Sequence, residues 1–296
     1  MGKGIKGLNI QGNVLATYSN NGQFLVMKTG SQKIILITDG TKVAGEYYDA
    51  FGTVRSATVS DNGLILLSFD SLDTEQPIST VRIFKADNFN KEVYSEPWME
   101  DFGAGLSITP DGKHIAIGSP KESLVYIYTL DTSGAIMKQT SKVIKGSALE
   151  TFGSKVALSP SCKSVAIASP SVSVDYINVG AIFIFVLVGN EWEPLDNVLY
   201  GTGGVRAIGS GGVSVDDVGG MISVQDNSLL NKSTYMVSMC DCQLSLKKCH
   251  AFLCVMLTIG CHRTAYGKLH HCTDTTVSCF MSRFACEGCR DRGELF

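Results

Sequence analysis

The chain alternates between short apolar runs and turn-forming residues over most of its first 230 residues. The turns are rich in Asn-Gly and Pro-Asp-Gly clusters, which supply the positive φ that a tight hairpin needs. The runs are rich in β-branched residues, and this favours strands over amphipathic helices. The pattern predicts hairpin turns at residues 20–22, 61–63, 111–112 and 161–162, followed by strands at residues 24–27, 64–67, 114–117 and 165–168.

The turn and its strand belong to a repeated unit. Phe51, Phe102 and Phe152 are each followed by Gly and open three copies about 50 residues apart. Trp98 and Trp192 mark a fourth segment at the end of two copies. Four-stranded units at this period are typical of a β-propeller, whose blades bury their faces against neighbouring blades. In each unit, the strand after the hairpin turn is followed by another predicted strand, at residues 33–37, 81–84, 125–128 and 181–185.

A fifth copy of the unit begins abnormally. Residues 207–210 and 219–224 match the later two strands of a unit, and residues 201–206 are too few for a first strand and its turn. We therefore predict an all-β, propeller-like array of about four to five four-stranded blades over residues 1–230, forming an incomplete ring. Open strand edges recruit partners or aggregate. We expect the terminal blade to be completed by a tail strand at residues 252–259, or by another chain in an oligomer; the alternative is a ring sealed by residues 8–16.

Composition narrows the classes of partner. The 296 residues are 44% hydrophobic and carry a formal net charge of −3, which gives no basic surface for nucleic acid or anionic membranes. The longest apolar stretches fall short of the ~20 residues that cross a bilayer, so we expect no transmembrane segment. No apolar stretch of signal-peptide type follows the first residues. We expect other proteins as partners, and an intracellular location if the chain is complete.

Residues 231–296 form a tail of different composition, with nine of the ten Cys. Cys286 and Cys289 have the spacing of a zinc knuckle, and His270, His271 and Cys272 supply further ligands for a tetrahedral site. Zinc is one of three readings of the tail. A disulfide framework is the second, although nine is an odd number of Cys. The third is a poorly ordered extension with no selected chemistry.

The repeated units resemble the FG-GAP family, the propeller repeat of integrin α-subunit heads. One repeat is carried by Phe102, Gly103, the Asp111-Gly112 turn and residues 115–120. Another is carried by Phe152, Gly153 and Trp192, with the runs at residues 165–170 and 180–185. The resemblance covers about residues 8–226. It implies a propeller fold and loops that bind protein partners or Ca²⁺.

Ca²⁺ loops of this family follow the second strand of a repeat and carry alternating oxygens. Aligning the copies places Asp73 and Glu75 of one loop opposite Asp175 of another and Asp216 of a third. Ca²⁺ requires six to eight oxygen ligands with several carboxylates. No aligned loop offers more than two carboxylates, so we expect Ca²⁺ binding to be weak or absent.

The resemblance favours a non-enzymatic scaffold for protein–protein interaction or adhesion. Its partner-binding loops are expected around Asp73, Glu75, Lys121, Asp175 and Asp216. One alternative is a propeller hydrolase or lactonase with a central metal, which is disfavoured because the inner runs at residues 105–108 and 155–158 contain no Asp, Glu or His. Another is a zinc-binding interaction module in the tail. Cys162 is expected to be an exposed turn residue, and His114 to be structural.

Overall fold

Strands account for nearly all of the regular structure in a computed structural model of the chain. The structure describes residues 15–29, 32–39, 42–49, 52–72, 78–98, 101–131, 136–139, 143–146, 151–174, 177–195, 198–201, 207–215, 221–225, 234–238, 255–256 and 277–278. Within these ranges the helical structure is a single 3₁₀ turn, Pro120–Glu122. The prediction of an all-β, propeller-like array is confirmed.

Blades 1 and 2 are four-stranded antiparallel sheets whose strands pair in chain order. Both contain a strand of almost continuous apolar residues, as expected for sheets buried on both faces. Blade 1 consists of β1 (Ala16–Tyr18), β2 (Phe24–Lys28), β3 (Lys33–Thr38) and β4 (Lys42–Tyr48). Blade 2 consists of β5 (Gly52–Val59), β6 (Leu64–Ser71), β7 (Ser79–Lys85) and β8 (Asn88–Trp98).

Blades 3 and 4 repeat this order and add one short strand each. Blade 3 consists of β9 (Leu106–Ile108), β10 (His114–Ser119), β11 (Leu124–Leu130) and β12 (Ile136–Gln139), and β13 (Ile144–Lys145) also pairs with β11. Blade 4 consists of β14 (Lys155–Leu158), β15 (Ser164–Ser169), β18 (Ala181–Val188) and β19 (Glu191–Pro194), and β20 (Leu199–Tyr200) also pairs with β18. Between β15 and β18, a small hairpin is formed by β16 (Ser173–Val174) and β17 (Ile177–Asn178).

Blade 5 has three strands among the described residues. They are β21 (Gly212–Val215), β22 (Met221–Gln225) and β23 (Thr234–Ser238). In the tail, β24 (Val255–Met256) lies beside β23 but pairs with β25 (Val277–Ser278). The rest of the predicted tail strand at residues 252–259, and most of the predicted sealing segment at residues 8–16, lie outside the described residues.

Each apolar core lies between two successive blades. Phe69 of blade 2 packs in one cluster with Val26 and Leu36 of blade 1, and Phe102 packs with Leu66 of blade 2 and Ile117 of blade 3. Similar clusters join blade 3 to blade 4 and blade 4 to blade 5. Apolar residues on the other face of blade 1 form a cluster of their own: Leu25, Met27, Ile35 and Ile37 are at most 9% exposed.

Blades 3, 4 and 5 open with the same left-handed turn. Its first residue has positive φ (Asp101 70°, Thr151 74°, Ala207 55°), and so does the glycine two positions later (Gly103 85°, Gly153 93°, Gly209 81°). Residues 207–210 are therefore the opening turn of blade 5, and their prediction as a strand is wrong. A complete first strand follows them, because β21 pairs with β22. The side chain between the two left-handed residues is buried as Phe102, Phe152 or Ile208.

Phe51 does not mark the same turn. Gly52 is the first residue of β5 and pairs with Ser71, with no positive φ, and Phe51 lies outside the described residues. The Phe-Gly pair therefore marks an opening turn in blades 3 and 4, but the start of a strand in blade 2. The physical reason is that Gly52 is used for close approach to Phe69, whose Cβ would lie 3.1 Å from an added side-chain carbon.

The opening turn docks each blade onto the one before it. A Cβ on Gly118 of β10 would overlap the carbonyl oxygen of Gly153 in the opening turn of blade 4. A Cβ on Gly103 would likewise lie only 2.7 Å from the Cβ of Ser68 in blade 2. Glycine is required at both positions because backbone passes directly against the neighbouring blade.

The predicted hairpin turns are confirmed, and they share one hydrogen-bond pattern. A Ser or Thr hydroxyl oxygen at the start of each turn accepts a hydrogen bond from a backbone N–H at the start of the next strand. The four residues, Ser19, Ser60, Thr109 and Ser159, are at most 3% exposed. Because a buried hydroxyl needs a partner, this position favours Ser and Thr in every copy.

Cys162 takes the place that Gly22, Gly63 and Gly112 hold in the other hairpin turns, with φ 55°. The prediction that it is an exposed turn residue is wrong, because it is 6% exposed and packs in the cluster between blades 3 and 4. A small, moderately apolar side chain suits such a site, and burial offsets the strain of the left-handed conformation.

Neighbouring hairpin turns are hydrogen bonded to one another. The backbone N–H of Asn21 donates to the carboxylate of Asp61 (2.8 Å), and the backbone N–H of Asp61 donates to the carbonyl of Pro110 (2.9 Å). The side-chain amide of Asn62 donates to the carbonyl of Asp111 (2.8 Å). The first three blades are thus joined along their turns as well as through their cores.

Replacing Asn62 by Asp tests this turn-to-turn contact. A carboxylate does not donate to the Asp111 carbonyl, so we expect the free energy of unfolding to fall by about 0.5–1.5 kcal/mol at pH 7. Below a pH of about 3.9 the carboxyl is protonated and donates again, so the difference from wild type should shrink. Urea denaturation at pH 7 and pH 3 measures both effects. The matched control is Asn190→Asp in an exposed turn; an equal loss there would show that the contact contributes nothing.

Candidate functional site

The connections between strands separate into two ends of the blades. The loops between second and third strands and the opening turns lie at one end, which we call the loop face. The turns between first and second strands lie at the other end, which we call the turn face. The antiparallel strand order fixes this separation, because every connection reverses the chain. Four of the five predicted partner-binding residues belong to loops of the loop face: Asp73, Glu75, Lys121 and Asp175.

Among these four residues, Lys121 is described, and Asp73, Glu75 and Asp175 lie outside the described residues. Lys121 is exposed in the 3₁₀ turn of blade 3. The turn is held from within, because Glu122 accepts hydrogen bonds from the hydroxyls of Ser119 (2.8 Å) and Tyr126 (3.2 Å). Blade 3 therefore presents a short, fixed loop at the loop face.

Asp216 also lies outside the described residues, and its alignment with Asp175 is wrong. It directly follows β21, which is the first strand of blade 5. The two alternate residues that precede Asp216, Gly212 and Ser214, lie within that strand and not in a loop. The alignment failed because residues 207–210 form the opening turn of blade 5 and not a strand. The strands of blade 5 therefore come one place later in the chain than the alignment assumed. Asp216 therefore follows a strand that runs towards the turn face.

Longer loops flank the short loop of blade 3. Residues 72–78 connect the second and third strands of blade 2, and residues 170–180 connect those of blade 4 and include the β16–β17 hairpin. Leu72 (53% exposed) and Ile78 (43%) stand at the base of the first loop, where the N–H of Ser71 bonds to the carbonyl of Ile78. Val174 is 42% exposed in the second. Exposed apolar side chains thus lie on both sides of blade 3.

A group of charged residues lies where the inner strands meet the loop face. We call Arg55, Asp70, Asp101 and Lys155 the inner-edge cluster. Arg55 forms ion pairs with Asp70 (3.3 Å) and with Asp101. A β-bulge at Arg55 interrupts the register between β5 and β6, and bulges re-aim the side chain they carry. Ser79 ties the two acids together: its hydroxyl donates to Asp70 (2.9 Å) and accepts from the backbone N–H of Asp101 (3.0 Å).

Lys155 begins β14, the inner strand of blade 4, and its side chain is half-buried. Its ammonium has no hydrogen-bond or ion-pair partner within the described part of the chain. Burial, and to a smaller extent the positive charge of Arg55, lower the pKa of Lys155 below its ordinary value. The equivalent residue is Gly105 in blade 3 and Gly211 in blade 5, so the lysine is peculiar to blade 4.

Replacing Lys155 by Met tests the cost of this charge. With its pKa lowered in the folded state, protonated Lys155 destabilises the fold at neutral pH, and the penalty disappears as pH rises past the ordinary value of 10.5. We therefore expect Lys155→Met to raise the melting temperature at pH 7, with a gain that shrinks as pH approaches 10.5. Thermal denaturation between pH 7 and 10.5 measures this. A gain equal to that of the exposed-lysine control Lys145→Met would contradict it.

The turn face carries a groove of about 950 Å³ between blades 2 and 3. Its wall includes the turn residues Asn62 and Gly112, whose contact joins the two blades. The other lining side chains combine apolar residues with both signs of charge, so the groove has no single electrostatic character. They are Phe24, Leu64, Ala86 and Leu130, with Lys85, Lys113, Asp87, Asp111 and Asp131.

Zinc was one of three alternatives for the tail, and Ca²⁺ was expected to bind the blade loops weakly or not at all. The tail ligands Cys286, Cys289, His270, His271 and Cys272 lie outside the described residues, as do the loop carboxylates. Among the residues that are described, no group of three or more His, Cys, Asp or Glu side chains is arranged to hold a metal ion. His114 is half-buried at the start of β10, and burial lowers its pKa.

Comparisons with known proteins give a likeness of fold. No protein-family model and no curated protein matches the chain. A functionally unknown protein from Desulfotomaculum acetoxidans is 14% identical with a TM-score of 0.55, covering 82% of this chain and 70% of that one. Kuenenia stuttgartiensis hydrazine synthase is 14% identical with a TM-score of 0.53, covering 86% and 69%.

The β-propeller domain of Myceliophteria thermophila Cps50 (Swd1) is 12% identical with a TM-score of 0.45, covering 74% of this chain and 82% of that one. All three identities are too low to transfer an activity, so the function must be argued from the residues of this chain. The described residues include no helix long and apolar enough to cross a membrane.

The inner-edge cluster was missed by sequence reasoning. The inner run at residues 155–158 has no acid or His, and the charge it does carry, on Lys155, was not among the predicted site residues. A signal was present, because aligning the blades places this lysine opposite Gly105 and Gly211. Arg55 gave no such signal, since its orientation depends on a bulge that the sequence does not reveal.

Proposed function

We propose that the chain is a non-enzymatic scaffold that binds a protein partner with its loop face. The observation that carries this proposal is the exposure of Leu72, Ile78 and Val174 on the longer loops of blades 2 and 4. Exposed apolar side chains of this kind are available to form the buried core of a protein–protein interface. Loops held on a rigid sheet scaffold are the usual carriers of binding function.

The shape of the loop face supports a partner segment over a small ligand. At the loop face, the fixed short loop of blade 3 lies between the connections of blades 2 and 4, which are longer in sequence. Exposed apolar residues lie on both sides of blade 3, namely Leu72 and Ile78 on blade 2 and Val174 on blade 4. An extended segment or a loop from another protein that crosses blade 3 buries apolar residues on both sides of that blade.

The inner-edge cluster supports the non-enzymatic part of the proposal. A propeller hydrolase needs carboxylates that face a central metal or take up protons. Asp70 and Asp101 are instead paired with Arg55 and bonded to Ser79. These contacts occupy carboxylate oxygens that a metal ion or a substrate would need. The repeated opening turn supports a relation to FG-GAP propellers, from which we extend the proposal to adhesion.

Paired substitutions at the two ends of the blades test the proposal. Leu72→Asp combined with Ile78→Asp removes apolar surface from the loop face. Val43→Asp combined with Val188→Asp is the matched control, because both residues are exposed (44% and 45%) near the turn face. Proteins bound from a lysate of the source cells are identified with wild type, purified and titrated against all three forms.

We expect the loop-face variant to bind the purified partner at least tenfold more weakly, and the control to bind like wild type. Thermal denaturation of each variant checks that folding is retained. Equal binding by the loop-face variant, or a loss confined to the control, would overturn the proposal. Specific hydrolysis by the wild-type protein would overturn its non-enzymatic part.

A further inference from the structure

We propose that Asn21 is a deamidation site of the folded chain, and that its conversion to aspartate or isoaspartate separates the hairpin turns of blades 1 and 2. Asparagine followed by glycine is the pair most prone to this spontaneous reaction, because glycine has no Cβ to hinder the approach of its backbone nitrogen. The chain contains two such pairs, Asn21-Gly22 and Asn62-Gly63. Both lie in hairpin turns of the turn face, so the second pair is a matched comparison for the first.

The reaction needs water and no other reactant. The backbone nitrogen of Gly22 attacks Cγ of Asn21, the bond from Cγ to Nδ2 breaks, and the proton of the attacking nitrogen passes through water to the ammonia that leaves. The product is a five-membered succinimide ring. Water then cleaves the ring bond from nitrogen to Cγ, which gives aspartate, or the bond from nitrogen to the main-chain carbonyl carbon, which gives isoaspartate. One water is consumed, one ammonia is released, and nothing is oxidised or reduced.

The Asn21-Gly22 peptide is open to water. Residues 20–23 are exposed, and a Cβ placed on Gly22 would meet no atom within 4 Å. The attacking N–H of Gly22 donates to the carbonyl of Ser19 (2.9 Å). The Nδ2 group of Asn21 donates to the carbonyl of Asp61 at 3.3 Å, which is a long hydrogen bond. Exposed turns of this kind open locally at a small cost in free energy, so the nitrogen becomes free while the blades stay folded.

The Asn62-Gly63 peptide is enclosed. A Cβ placed on Gly63 would lie 3.0 Å from the Cβ of Ala86 and 3.2 Å from Cζ of Phe24, so both side chains pack on its main chain. The carbonyl of Gly63 accepts a hydrogen bond from the N–H of Ala86 (2.8 Å). The Nδ2 group of Asn62 donates to the carbonyl of Asp111 at 2.8 Å. Freeing the nitrogen of Gly63 therefore disturbs contacts with blades 1 and 3, and we expect this opening to be far rarer than that of the first turn.

The two asparagine side chains are otherwise held alike. In each turn, Oδ1 accepts hydrogen bonds from the hydroxyl of the first turn residue, Ser19 or Ser60, and from a backbone N–H two positions after the asparagine. The N–H of the glycine donates to the carbonyl of the same serine. The pairs therefore share sequence, turn position and internal hydrogen bonds, and they differ in what packs on the glycine. This packing is the property that we expect to set the rate.

Conversion of Asn21 removes a contact between blades 1 and 2. The backbone N–H of Asn21 donates to the carboxylate of Asp61 (2.8 Å). A new carboxylate at residue 21 repels that carboxylate and no longer donates to the carbonyl of Asp61. An isoaspartate also adds one atom to the main chain of the turn, which displaces the N–H. The turn of blade 1 is then released, whereas the turns of blades 2 and 3 stay joined.

Timed incubation of the full chain measures the rate at each asparagine. The folded protein and the protein unfolded in urea are held at pH 8 and 37 °C and digested at intervals under acidic conditions, where the reaction is slow. Mass spectrometry quantifies the peptides that contain Asn21 and Asn62. In the folded protein we expect Asn21 to convert at least tenfold faster than Asn62. In urea the two rates should agree within threefold, because the packing on the glycine is lost.

A cavity-making variant tests whether packing protects Asn62. Ala86→Gly removes the Cβ that lies on Gly63, so it should speed the conversion of Asn62 at least threefold and leave Asn21 unchanged. Ala44→Gly, at an exposed position of blade 1, is the matched control and should change neither rate. Thermal denaturation checks that both variants are folded.

The product is tested with Asn21→Asp, which carries the charge of the main reaction product. Hydrogen–deuterium exchange of residues 19–24 should rise at least threefold, whereas residues 60–64 should exchange as in wild type. Unchanged exchange of residues 19–24 would overturn the separation of the turns. Equal rates at Asn21 and Asn62 in the folded protein, or conversion of Asn21 in urea alone, would overturn the deamidation site. Neither result bears on the proposed partner site, which lies at the other end of the blades.

Discussion

Replacing Phe152 by Ala is expected to lower the free energy of unfolding by about 3–5 kcal/mol, the usual cost of removing a buried aromatic ring. Phe152 is 0% exposed and sits in the opening turn of blade 4. Its ring centroid lies 5.4 Å from that of Phe183 and 6.4 Å from that of Phe185. The ring also fills the cluster between blades 3 and 4, so its loss loosens a whole blade contact.

Urea denaturation of Phe152→Ala and of a surface control measures this effect. Tyr200, 47% exposed on β20, is the matched aromatic residue, and Tyr200→Ala should cost less than about 1 kcal/mol. Phe102→Ala should behave like Phe152→Ala, because Phe102 is also 0% exposed at the equivalent position. A loss below about 1 kcal/mol for either phenylalanine would mean that the opening turn does not anchor the blades.

Replacing Asp49 by Ala is expected to cost about 3–5 kcal/mol, because it removes the buried ion-pair partner of Arg82. The side chain of Asp49 is 2% exposed and that of Arg82 20%. The guanidinium of Arg82 pairs with Asp49, donates to the hydroxyl of Tyr47 and lies 4.8 Å above the ring of Phe69. Glu92 approaches it at only 3.6 Å and is exposed to water, so it does not replace Asp49.

The exposed pair of Lys33 and Glu46 provides the control. Their charged atoms are 2.7 Å apart, but the side chains are 43% and 55% exposed, so Glu46→Ala should cost less than about 1 kcal/mol. Adding Arg82→Met to Asp49→Ala should recover part of the loss, since the guanidinium that lost its buried partner is then absent. Chemical denaturation measures the free energy of unfolding of Asp49→Ala, Glu46→Ala and the double variant. Equal costs for Asp49→Ala and Glu46→Ala would show that the buried pair contributes no more than a surface pair.

Local chemistry made the blades predictable from sequence. Each first hairpin combines a hydroxyl residue, a turn with positive φ and an apolar run, and all three act within a few residues of chain. These signals identified the four hairpins at residues 20–22, 61–63, 111–112 and 161–162 and the strands after them. The prediction failed where one motif served two structures. Phe51 precedes a glycine in a strand, and Phe102 and Phe152 precede glycines in a turn.

Blade 5 was misread because its opening turn lacks the aromatic residue. Ile208 is buried where blades 3 and 4 have Phe102 and Phe152, so conformation is retained although the residue type changes. The candidate site was less predictable than the fold. Partner-binding loops were predicted around charged residues such as Asp73 and Lys121, whereas Arg55, Asp101 and Lys155 of the inner-edge cluster come from three different blades. Only the packing of those blades brings them to one edge.

The sharing of each apolar cluster between two blades has a consequence during protein synthesis. The first cluster is complete only when Phe89 of blade 2 joins Val26 and Leu36 of blade 1. Roughly 40 residues separate the end of β4 from Phe89, so at ~5–20 residues per second the ribosome needs about 2–8 s to supply them. For that interval blade 1 exposes an apolar face and an open strand edge. Each new blade shields its predecessor in turn, so the most recently made blade is the part of the nascent chain with an exposed apolar face and the greatest tendency to aggregate.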